Sequence, residues 1–382
     1  MIEKINAHIY PSTFVNDSRI LKETESLIKL GLVQKILMIG IWEKGLPILE
    51  KIDENRSIIR IKQIFKQRKG LVFFALKYIY YQFQVISVLR KLNVNIVNCH
   101  SLAVLGIGVY FKIFKSLFLI YDTHELSTEV EGSRGFKKIA GKIFERSCIH
   151  FADEVIVVND LIGKWYEKKY DINNVSVLRN VPHYFELKLK PDLFRKKFNI
   201  PQEQLIFIYQ GLLSKGRGVN IIIDAFLESE QNHQIVFMGK GDLAGEIKNL
   251  SNIKSNFHFL PAVSPSEVRN HTASADIGIH LIQNSCLNHY YCSPNKVFEY
   301  LMYGIPQIVS DFPVVRNIIH QGECGWLVTP EKNNLLKLLQ QITRAEVVEK
   351  TKAVSERRNE IGWEKEEASL VEVYRHLNNK MK

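Results

Sequence analysis

The feature that most constrains this chain is an alternation of short β-branched runs with longer helical stretches, which occurs in two series along its 382 residues. Such alternation favours βαβ units, in which helices cover both faces of a parallel sheet. The first series predicts strands at residues 6–10, 35–41, 57–61, 96–98, 117–121, 155–158 and 175–178. The second series predicts strands at residues 205–209, 235–238, 257–260, 277–281 and 307–309.

A proline-containing stretch separates the two series. Residues 181–204 contain Pro182, Pro191 and Pro201 with several charges, a composition typical of a linker. We predict an α/β protein with two facing Rossmann-like domains, parallel sheets and a deep cleft between the domains. Residues 1–182 would form the first domain and 183–362 the second, and the C-terminal helix 363–382 would pack back on the first. Ligands are expected beyond the carboxyl ends of the strands.

The charge and the cysteines limit the class of protein. The formal net charge of +11 indicates an anionic partner, such as a nucleotide sugar, a membrane surface or a nucleic acid. The five cysteines contain no C-x-x-C pair, which favours reduced thiols in a cytoplasmic compartment. Neither a signal peptide nor an uncharged stretch long enough for a spanning helix is evident, so we expect a cytoplasmic protein.

One segment, residues 60–90, is basic at both ends and rich in aromatic and aliphatic residues between them. It has two interpretations. It is either a core helix with charged ends or an amphipathic element that lies on an anionic bilayer. The second interpretation would place the protein peripherally on the inner face of the cell membrane.

The loop at residues 209–218, with the sequence YQGLLSKGRG, follows a predicted strand and precedes a predicted helix. Its three glycines allow the backbone to approach a ligand closely, and Lys215 and Arg217 lie beside the positive end of the helix dipole. These features favour a diphosphate site, although a solvated surface turn is the alternative. The pattern is neither a P-loop nor G-x-G-x-x-G, which disfavours triphosphate hydrolysis and hydride transfer.

The second motif, SPNKVFEYLMYGIP at residues 293–306, predicts a short helix. Ser293 is the expected N-cap, and Gly304 is expected to end the helix. The helical wheel places Val297, Phe298, Leu301, Met302 and Ile305 on one arc and Lys296, Glu299 and Tyr303 on the other. The polar arc either carries a solvated Lys–Glu pair or binds a ligand, with the carboxylate on ribose hydroxyls and the ammonium on phosphate.

Together these two motifs resemble the donor site of retaining glycosyltransferases of family GT4, the glycosyl transferases group 1, which have the two-domain GT-B fold. The stretches at residues 121–125, 152–158, 239–242, 274–278 and 322–328 are also similar to this family. Two positions depart from its pattern. Leu212 stands where the family's loop arginine is usual, and Tyr291 stands where a second glutamate is frequent.

The resemblance implies a hexosyl transfer from a nucleotide diphosphate sugar to an acceptor. Lys215 and Arg217 would hold the diphosphate and assist catalysis, and Glu299 would bind the ribose. The complete donor-binding set is expected to be Gly211, Lys215, Arg217, Gly239, Gly241, Ser293, Asn295, Lys296 and Glu299. The leaving phosphate would be stabilised by cations and amides, and the sequence shows no metal-ligand spacing. We therefore expect a metal-independent reaction without a further cofactor.

Two histidines and two charged residues are candidates in the first half. His100 and His124 end predicted strands, so each either contacts the sugar or acceptor as a catalytic residue or caps a strand. Asp17 and Arg19 follow the first strand and are candidate acceptor-binding residues. Their alternative roles are an N-cap and a solvated charge.

We expect a saccharide or lipid-linked saccharide acceptor, as in the assembly of a surface polysaccharide, with an anionic membrane as a further partner. One alternative is a nucleotide-sugar 2-epimerase of the same architecture. Another is a non-catalytic nucleotide-sugar-binding protein, motivated by Tyr291 and Leu212. Nucleic-acid binding has only the net charge in its favour, so we predict none.

Overall fold

The computed structural model describes residues 4–64, 68, 70–186 and 190–380, and the chain divides into two compact units. The first unit has residues 1–179 and 365–382, and the second has residues 180–364. These bounds differ from the predicted domain bounds by two or three residues. Residues 1–3 and 381–382 of the predicted first domain lie outside the described residues.

The first unit is built on a sheet that has eight strands among the described residues. Their order in the sheet is β3-β4-β2-β1-β5-β6-β7-β8, and only the β3–β4 pair is antiparallel. The strands are β1 (Ile5–Ile9), β2 (Lys35–Ile41), β3 (Leu49–Lys51), β4 (Arg56–Ile61), β5 (Ile96–Cys99), β6 (Phe118–Asp122), β7 (Glu154–Val157) and β8 (Val175–Val177). The sequence predicts all of these except β3, a short edge strand that lacks an apolar alternation.

Helices connect these strands in the manner of βαβ units, and the last helix of the chain returns to the same unit. They are α1 (Ser18–Lys29), α2 (Leu71–Arg90), α3 (Leu102–Lys115), α4 (Gly135–Ile149), α5 (Asp160–Tyr170) and, numbered last in the chain, α15 (Trp363–Lys380). In α15, Tyr374 is buried and its hydroxyl lies 2.6 Å from Asn6 Nδ2 and 3.2 Å from Asn98 Oδ1, which anchors the helix to β1 and β5.

The second unit has a parallel sheet with six strands among the described residues, in the order β11-β10-β9-β12-β13-β14. The sequence predicts the first five strands and misses β14. The strands are β9 (Ile206–Leu212), β10 (Gln234–Lys240), β11 (Phe257–Pro261), β12 (Ile277–His280), β13 (Gln307–Ser310) and β14 (Gly325–Val328). The helices are α6 (Leu193–Phe198), α7 (Val219–Glu228), α8 (Ala244–Ile253), α9 (Pro265–Ala273), α10 (Leu287–Tyr290), α11 (Asn295–Met302), α12 (Pro313–Ile318), α13 (Lys332–Gln341) and α14 (Arg344–Arg357).

Two expectations about connecting segments need correction. The predicted linker at residues 181–204 contains α6, whose Phe194 is fully buried in the core of the second unit; residues 187–189 of the linker lie outside the described residues. Arg60, the first residue of the basic segment 60–90, is buried in β4. Its guanidinium pairs with Glu50 at 2.6 Å and donates to the carbonyl of Thr13. Residues 65–67 and 69 of that segment are not described.

Helices α4 and α5 of the first unit are joined through a buried carboxylate. Glu145 accepts hydrogen bonds from the hydroxyls of Tyr121 at 2.9 Å, Tyr166 at 2.8 Å and Tyr170 at 2.6 Å. All four residues are buried. A buried carboxylate is tolerated because these donors replace its water, and each hydroxyl in turn depends on it as an acceptor.

Substituting Glu145→Ala should therefore destabilise the first unit by about 3 kcal/mol, because three buried hydroxyls lose their shared acceptor. The midpoint of urea unfolding, followed by circular dichroism, measures this change. Glu349→Ala on the exposed side of α14 is the matched control and should change stability by less than about 0.5 kcal/mol. Equal midpoints for the two variants would contradict the role of Glu145.

Candidate functional site

A cavity of about 400 Å³ lies at the carboxyl edge of the second sheet. This is the edge at which open parallel sheets bind ligands. The residues around it come from the ends of β9, β10 and β11, from α9 and from the start of α11. They are Gln210, Gly211, Leu212, Met238, Gly239, Lys240, Ala262, Val263, Val268, Asn295, Lys296 and Glu299. Five of them belong to the predicted donor-binding set, and three more, Gln210, Leu212 and Lys240, lie in the neighbouring motif positions. Leu212 occupies the place where the resemblance implied an arginine.

The glycine loop follows β9, and its backbone passes very close to its neighbours. Gly211 has a φ of +113°, and a Cβ atom there would lie 2.6 Å from Cε of Lys296. Gly218 has a φ of +75° and begins α7, and a Cβ atom there would lie 1.6 Å from the carbonyl oxygen of Leu281. These positions therefore require glycine, since any side chain would displace either the Lys296 ammonium or the end of β12.

Helix α11 confirms the predicted wheel and corrects the predicted cap. Val297, Phe298, Leu301, Met302 and Ile305 are all buried. Gly304 has a φ of +78° just after the helix, as a helix stop requires. The N-cap position is occupied by Pro294 rather than Ser293, so the Ser293 hydroxyl does not cap the helix. That hydroxyl is buried and has no hydrogen-bond partner among the described residues.

Glu299 is held in position at the cavity by a chain of side chains. The Gln210 amide donates to Oε2 of Glu299, and the Thr272 hydroxyl donates to Oε1 of Gln210. Gln210 and Thr272 are buried, so the side chains that orient the carboxylate are shielded from solvent. Such an oriented carboxylate is suited to accept hydrogen bonds from two adjacent hydroxyl groups of a ligand.

Four cationic side chains, Lys215, Arg217, Lys240 and Lys296, belong to the segments that form this edge. Lys296 lies 4.4 Å from the centre of the Tyr209 ring, and its ammonium lies 3.3 Å from the Tyr209 hydroxyl. Burial, and then the charge of Arg217, lower the pKa of Lys296 to about 8, while Glu299 opposes this shift. Lys215 and Arg217 are exposed in the loop, and neither forms a salt bridge with a residue that the structure describes. Lys240 lines the cavity from the end of β10. The arrangement therefore favours an anionic ligand.

His280 was not predicted from the sequence, yet it belongs to this edge. It ends β12 and is buried, and within the described part of the chain neither ring nitrogen has a hydrogen-bond partner. Burial, and then the charges of Lys296 and Arg217, hold the pKa of His280 well below its usual value, so its ring is neutral at neutral pH. Its position at the carboxyl end of a strand was the signal that could have identified it.

The remaining predicted donor residues lie at the same edge. Gly239 and Gly241 flank Lys240 at the end of β10, beside the carbonyl oxygens of Gly211 and Leu213. Asn295 begins α11 and lines the cavity. The geometry thus brings the loop, the end of β10 and the start of α11 together, and individual ligand contacts remain predictions.

In the first unit, the two predicted histidines belong to a buried polar cluster. Nδ1 of His100 lies 3.1 Å from Oδ2 of Asp122 and 3.2 Å from Nε2 of His124, and its Nε2 lies 2.8 Å from Nδ1 of His8. Burial lowers the pKa of His100 to about 4, although Asp122 opposes the shift, so His100 is neutral at neutral pH. His124 is the more exposed of the two, with a quarter of its side chain accessible.

Arg19 and Asp17 occupy different surroundings from those considered in the sequence. The expectation of a solvated charge at Arg19 is wrong, because its guanidinium is buried, pairs with Asp122 at 2.8 Å and donates to the carbonyl of Leu178 at 2.7 Å. Asp17 is at the N-cap position of α1 but makes no side-chain capping bond, and it accepts instead from the Ser12 hydroxyl at 2.6 Å. Asp122 was missed, because its partners Arg19 and His100 are distant in sequence.

The same cluster contains two sets of side chains with ligand atoms within 4.8 Å of one another, namely His8, Glu23 and His100, and His100, Asp122 and His124. His100 lies within hydrogen-bond distance of His8, Asp122 and His124, and Arg19 donates to both oxygens of Asp122. A metal ion bound there would be repelled by the guanidinium. Metal independence stays a prediction.

Comparison with known proteins finds similarity to one family and to several solved structures. Residues 191–360, which lie wholly within the second unit and make up 170 of the 382 residues, match the model of the family Glycosyl transferases group 1. The second unit is therefore similar to that family over most of its length. No curated protein matches the chain significantly in sequence.

Solved structures share the fold over the whole chain. Sucrose-phosphate synthase from Thermosynechococcus elongatus has a TM-score of 0.81 at 15% identity, with 99% of this chain and 100% of that chain covered. A glycosyltransferase from Rickettsia africae has a TM-score of 0.72 at 14% identity over 98% and 99% of the two chains. Anabaena HepE in complex with UDP-glucose has a TM-score of 0.66 at 13% identity over 99% of each chain. The chain thus has the two-domain GT-B fold.

The Arg19–Asp122 pair gives a prediction for the first unit. Asp122→Asn should cost about 3–5 kcal/mol, because it leaves the Arg19 guanidinium buried without its counter-charge. Thermal and urea unfolding measure the loss. Removing the orphaned charge as well, in the double variant Arg19→Met/Asp122→Asn, should restore part of the stability. A double variant no more stable than Asp122→Asn would show that the pair is not the cause.

Proposed function

We propose that this protein transfers a hexose from a nucleotide diphosphate sugar to a saccharide acceptor, with retention at the anomeric carbon. The observation that carries the proposal is the cationic edge of the second unit. Arg217 and Glu299 lie close enough to Lys296 to act on its charge, and Lys215 belongs to the same glycine loop as Arg217, in a part of the chain that matches a glycosyltransferase family. The binding of UDP-glucose by Anabaena HepE, which has the same fold, is consistent with a nucleotide sugar as the donor.

Each group has a distinct role in the proposed complex. The diphosphate lies against the glycine loop and receives the charges of Lys215, Arg217 and Lys296. Glu299, oriented by Gln210, accepts hydrogen bonds from the ribose hydroxyls. The buried hydroxyl of Ser293 and a ring nitrogen of His280 lack partners among the described residues, and the donor supplies acceptors for them. A cationic site of this kind stabilises the diphosphate as it leaves.

The reaction needs no covalent intermediate with the protein. The bond between the anomeric carbon and the phosphate oxygen breaks, and a bond to the acceptor oxygen forms on the same face of the sugar. The acceptor's hydroxyl proton passes to the departing phosphate oxygen, so protons and charge balance without another reactant. The role of the cations is to stabilise the charge that develops on the diphosphate.

In this proposal the acceptor binds to the first unit. His124 and Asp17 are the predicted residues there with accessible side chains, whereas His100 and Arg19 are buried and act by holding Asp122 and His124 in place. We propose a saccharide carried by a lipid, used in the assembly of a surface polysaccharide on the cytoplasmic side of the membrane. A nucleotide-sugar panel in thermal shift, followed by product analysis, tests the donor first.

Product analysis also separates the alternatives. A 2-epimerase would release a free, epimerised sugar when no acceptor is present, whereas a transferase requires the acceptor for full turnover. A non-catalytic binding protein would show donor stabilisation without any product across a broad set of acceptors.

Substitution of the central residues tests the site. Glu299→Ala and Arg217→Ala should each reduce turnover at least about 100-fold, because each removes a charged contact that orients or stabilises the diphosphate donor. Initial rates with the identified donor and acceptor measure the loss. Both side chains lie at the edge of the unit, so the melting temperature should fall by no more than a few degrees.

Lys248→Ala on the exposed side of α8 provides the control, since it removes a cation of the same unit away from the cavity. It should retain nearly full activity. Near-normal rates in both Glu299→Ala and Arg217→Ala would refute the assignment of the site.

The lowered pKa of Lys296 predicts a pH dependence of donor binding. A bound diphosphate favours the charged ammonium, whereas the free protein loses this proton as the pH rises through about 8. The affinity for UDP-glucose, whose phosphates stay ionised, should therefore be greatest at neutral pH and weaken above pH 8, by up to about tenfold per pH unit. Titration calorimetry at pH 7 and pH 9 measures this change. Lys296→Gln should bind more weakly at pH 7 and lose the dependence; an unchanged wild-type affinity at pH 9 would contradict the role of Lys296.

A further inference from the structure

Helices α2, α3 and α4 of the first unit expose an unusual amount of apolar surface. Together they have 49 residues, yet they contribute half of the large hydrophobic side chains that are exposed among the described residues. Phe74 is 65% exposed, Phe83 67%, Phe114 70% and Phe136 85%. The others on these helices are Val72, Leu76, Tyr78, Ile79, Ile113, Ile139, Ile143 and Phe144. A patch of this kind on a folded unit indicates an interaction surface.

The three helices lie side by side on one face of the sheet. Helix α3 packs on β5 and β6 and contacts α2 on one side and α4 on the other. Tyr78 and Gln82 of α2 both donate to the carbonyl of Ala103 in α3 at 2.8 Å. Gly106 of α3 lies against the Phe144 ring of α4, since a Cβ atom there would be 3.2 Å from it. The exposed side chains therefore belong to one layer of helices, which we call the α2–α4 face.

The charge on the α2–α4 face has a single sign. The three helices carry eight Lys or Arg residues, and the one acidic residue in them, Glu145, is buried in its tyrosine network. Lys112 pairs with Asp153, and Lys138 and Lys142 pair with Glu129. The remaining five form no salt bridge with any residue in the described ranges: Lys77, Arg90, Lys115, Lys137 and Arg146. Glu131 is an exposed acid in the loop before α4.

The combination of exposed apolar side chains and cations favours one kind of binding partner for the α2–α4 face. An anionic bilayer offers negative headgroups to the lysines and arginines and an apolar interior to the phenylalanines and isoleucines. A second copy of the chain would place one cationic face against another, because a two-fold contact uses the same patch on both partners. An apolar face whose helices expose cations but no acid is thus better matched to lipid than to a second copy of itself.

The helix α2 lies on the bilayer in this arrangement and does not cross it. Its segment Val72–Arg90 is long and apolar enough to span a membrane, with a mean hydropathy of 1.3. However, Val85 and Leu89 are buried against the unit, and the Tyr81 hydroxyl contacts the carbonyl of Ile39 in β2 at 3.3 Å. A spanning helix would have to leave these contacts, whereas an interfacial helix keeps them.

We propose that the α2–α4 face docks the protein on an anionic phospholipid bilayer, with the phenylalanines of α2 and α4 inserted below the headgroups and the lysines and arginines among them. This inference concerns a surface of the first unit and does not depend on the donor site of the second. It would bring the first unit to the place where a lipid-linked acceptor resides.

Flotation of the full chain with vesicles tests the proposal without any nucleotide. Wild-type protein should float with vesicles of phosphatidylglycerol and phosphatidylcholine at low salt, remain unbound with phosphatidylcholine alone, and dissociate as salt is raised. The variant Lys115→Gln/Lys137→Gln/Arg146→Gln should lose about 100-fold in affinity for the anionic vesicles. Phe74→Ser/Ile79→Ser/Phe83→Ser, which removes exposed apolar groups of α2, should also lose binding.

The matched control is Lys248→Gln/Lys254→Gln/Lys337→Gln, which makes the same change in net charge on exposed positions of the second unit and should bind like the wild type. Melting curves show that each variant is folded, and donor binding by thermal shift reports the second unit separately. Equal loss of binding in the control and in the first-unit charge variant would overturn the proposal. Flotation of the variant Phe74→Ser/Ile79→Ser/Phe83→Ser to the same extent as the wild type would also overturn it. A wild-type dimer in gel filtration that this apolar variant converts to monomer would assign the face to a second copy.

Discussion

The close approach of the Lys296 ammonium to the backbone of Gly211 is the contact on which the candidate site depends. It joins the end of β9 to the start of α11, and it is possible only because residue 211 has no side chain. The ammonium lies 4.4 Å from the centre of the Tyr209 ring. The charge of Arg217 lowers its pKa, and the charge of Glu299 raises it. The protein thus brings cations together that repel one another, and a diphosphate is the kind of ligand that relieves this repulsion.

The two units differ in how the charged and polar side chains at the ends of their strands are paired. In the first, Arg19 and Asp122 are buried as a pair, and His8, His100 and His124 complete a network of mutual contacts. In the second, Lys215 and Arg217 are exposed without a salt-bridge partner in the described ranges, and His280 is buried without a hydrogen bond. Paired charges hold the side chains of a unit in place, whereas cations without a counter-charge favour the binding of an anion.

The sequence predicted what depends on local pattern and missed what depends on distant partners. The apolar arc of α11 was correct, because helical periodicity predicts which face is buried, although Tyr300, outside that arc, is buried as well. Helix α11 begins one residue later than predicted, with Pro294 instead of Ser293 at the N-cap, and assigned helix ends commonly differ by this much. The strands β3 and β14 were missed, since they are short and stand at sheet edges. The burial of Arg19 and Arg60 could not be foreseen, because their partners lie on other strands and loops.

The return of α15 to the first unit has a consequence for the order in which the chain is made. Leu370, Tyr374 and Leu377 are buried, and Tyr374 bridges β1 and β5 in the middle of the sheet. The first sheet therefore cannot complete its core until α15 has left the ribosome, although its strands are synthesised first. At roughly 5–20 residues per second, translation of the intervening second unit takes on the order of 10–40 s. During this interval the amino-terminal segment is a nascent chain with an unsealed apolar face, so the second unit is the first part that can reach its native state.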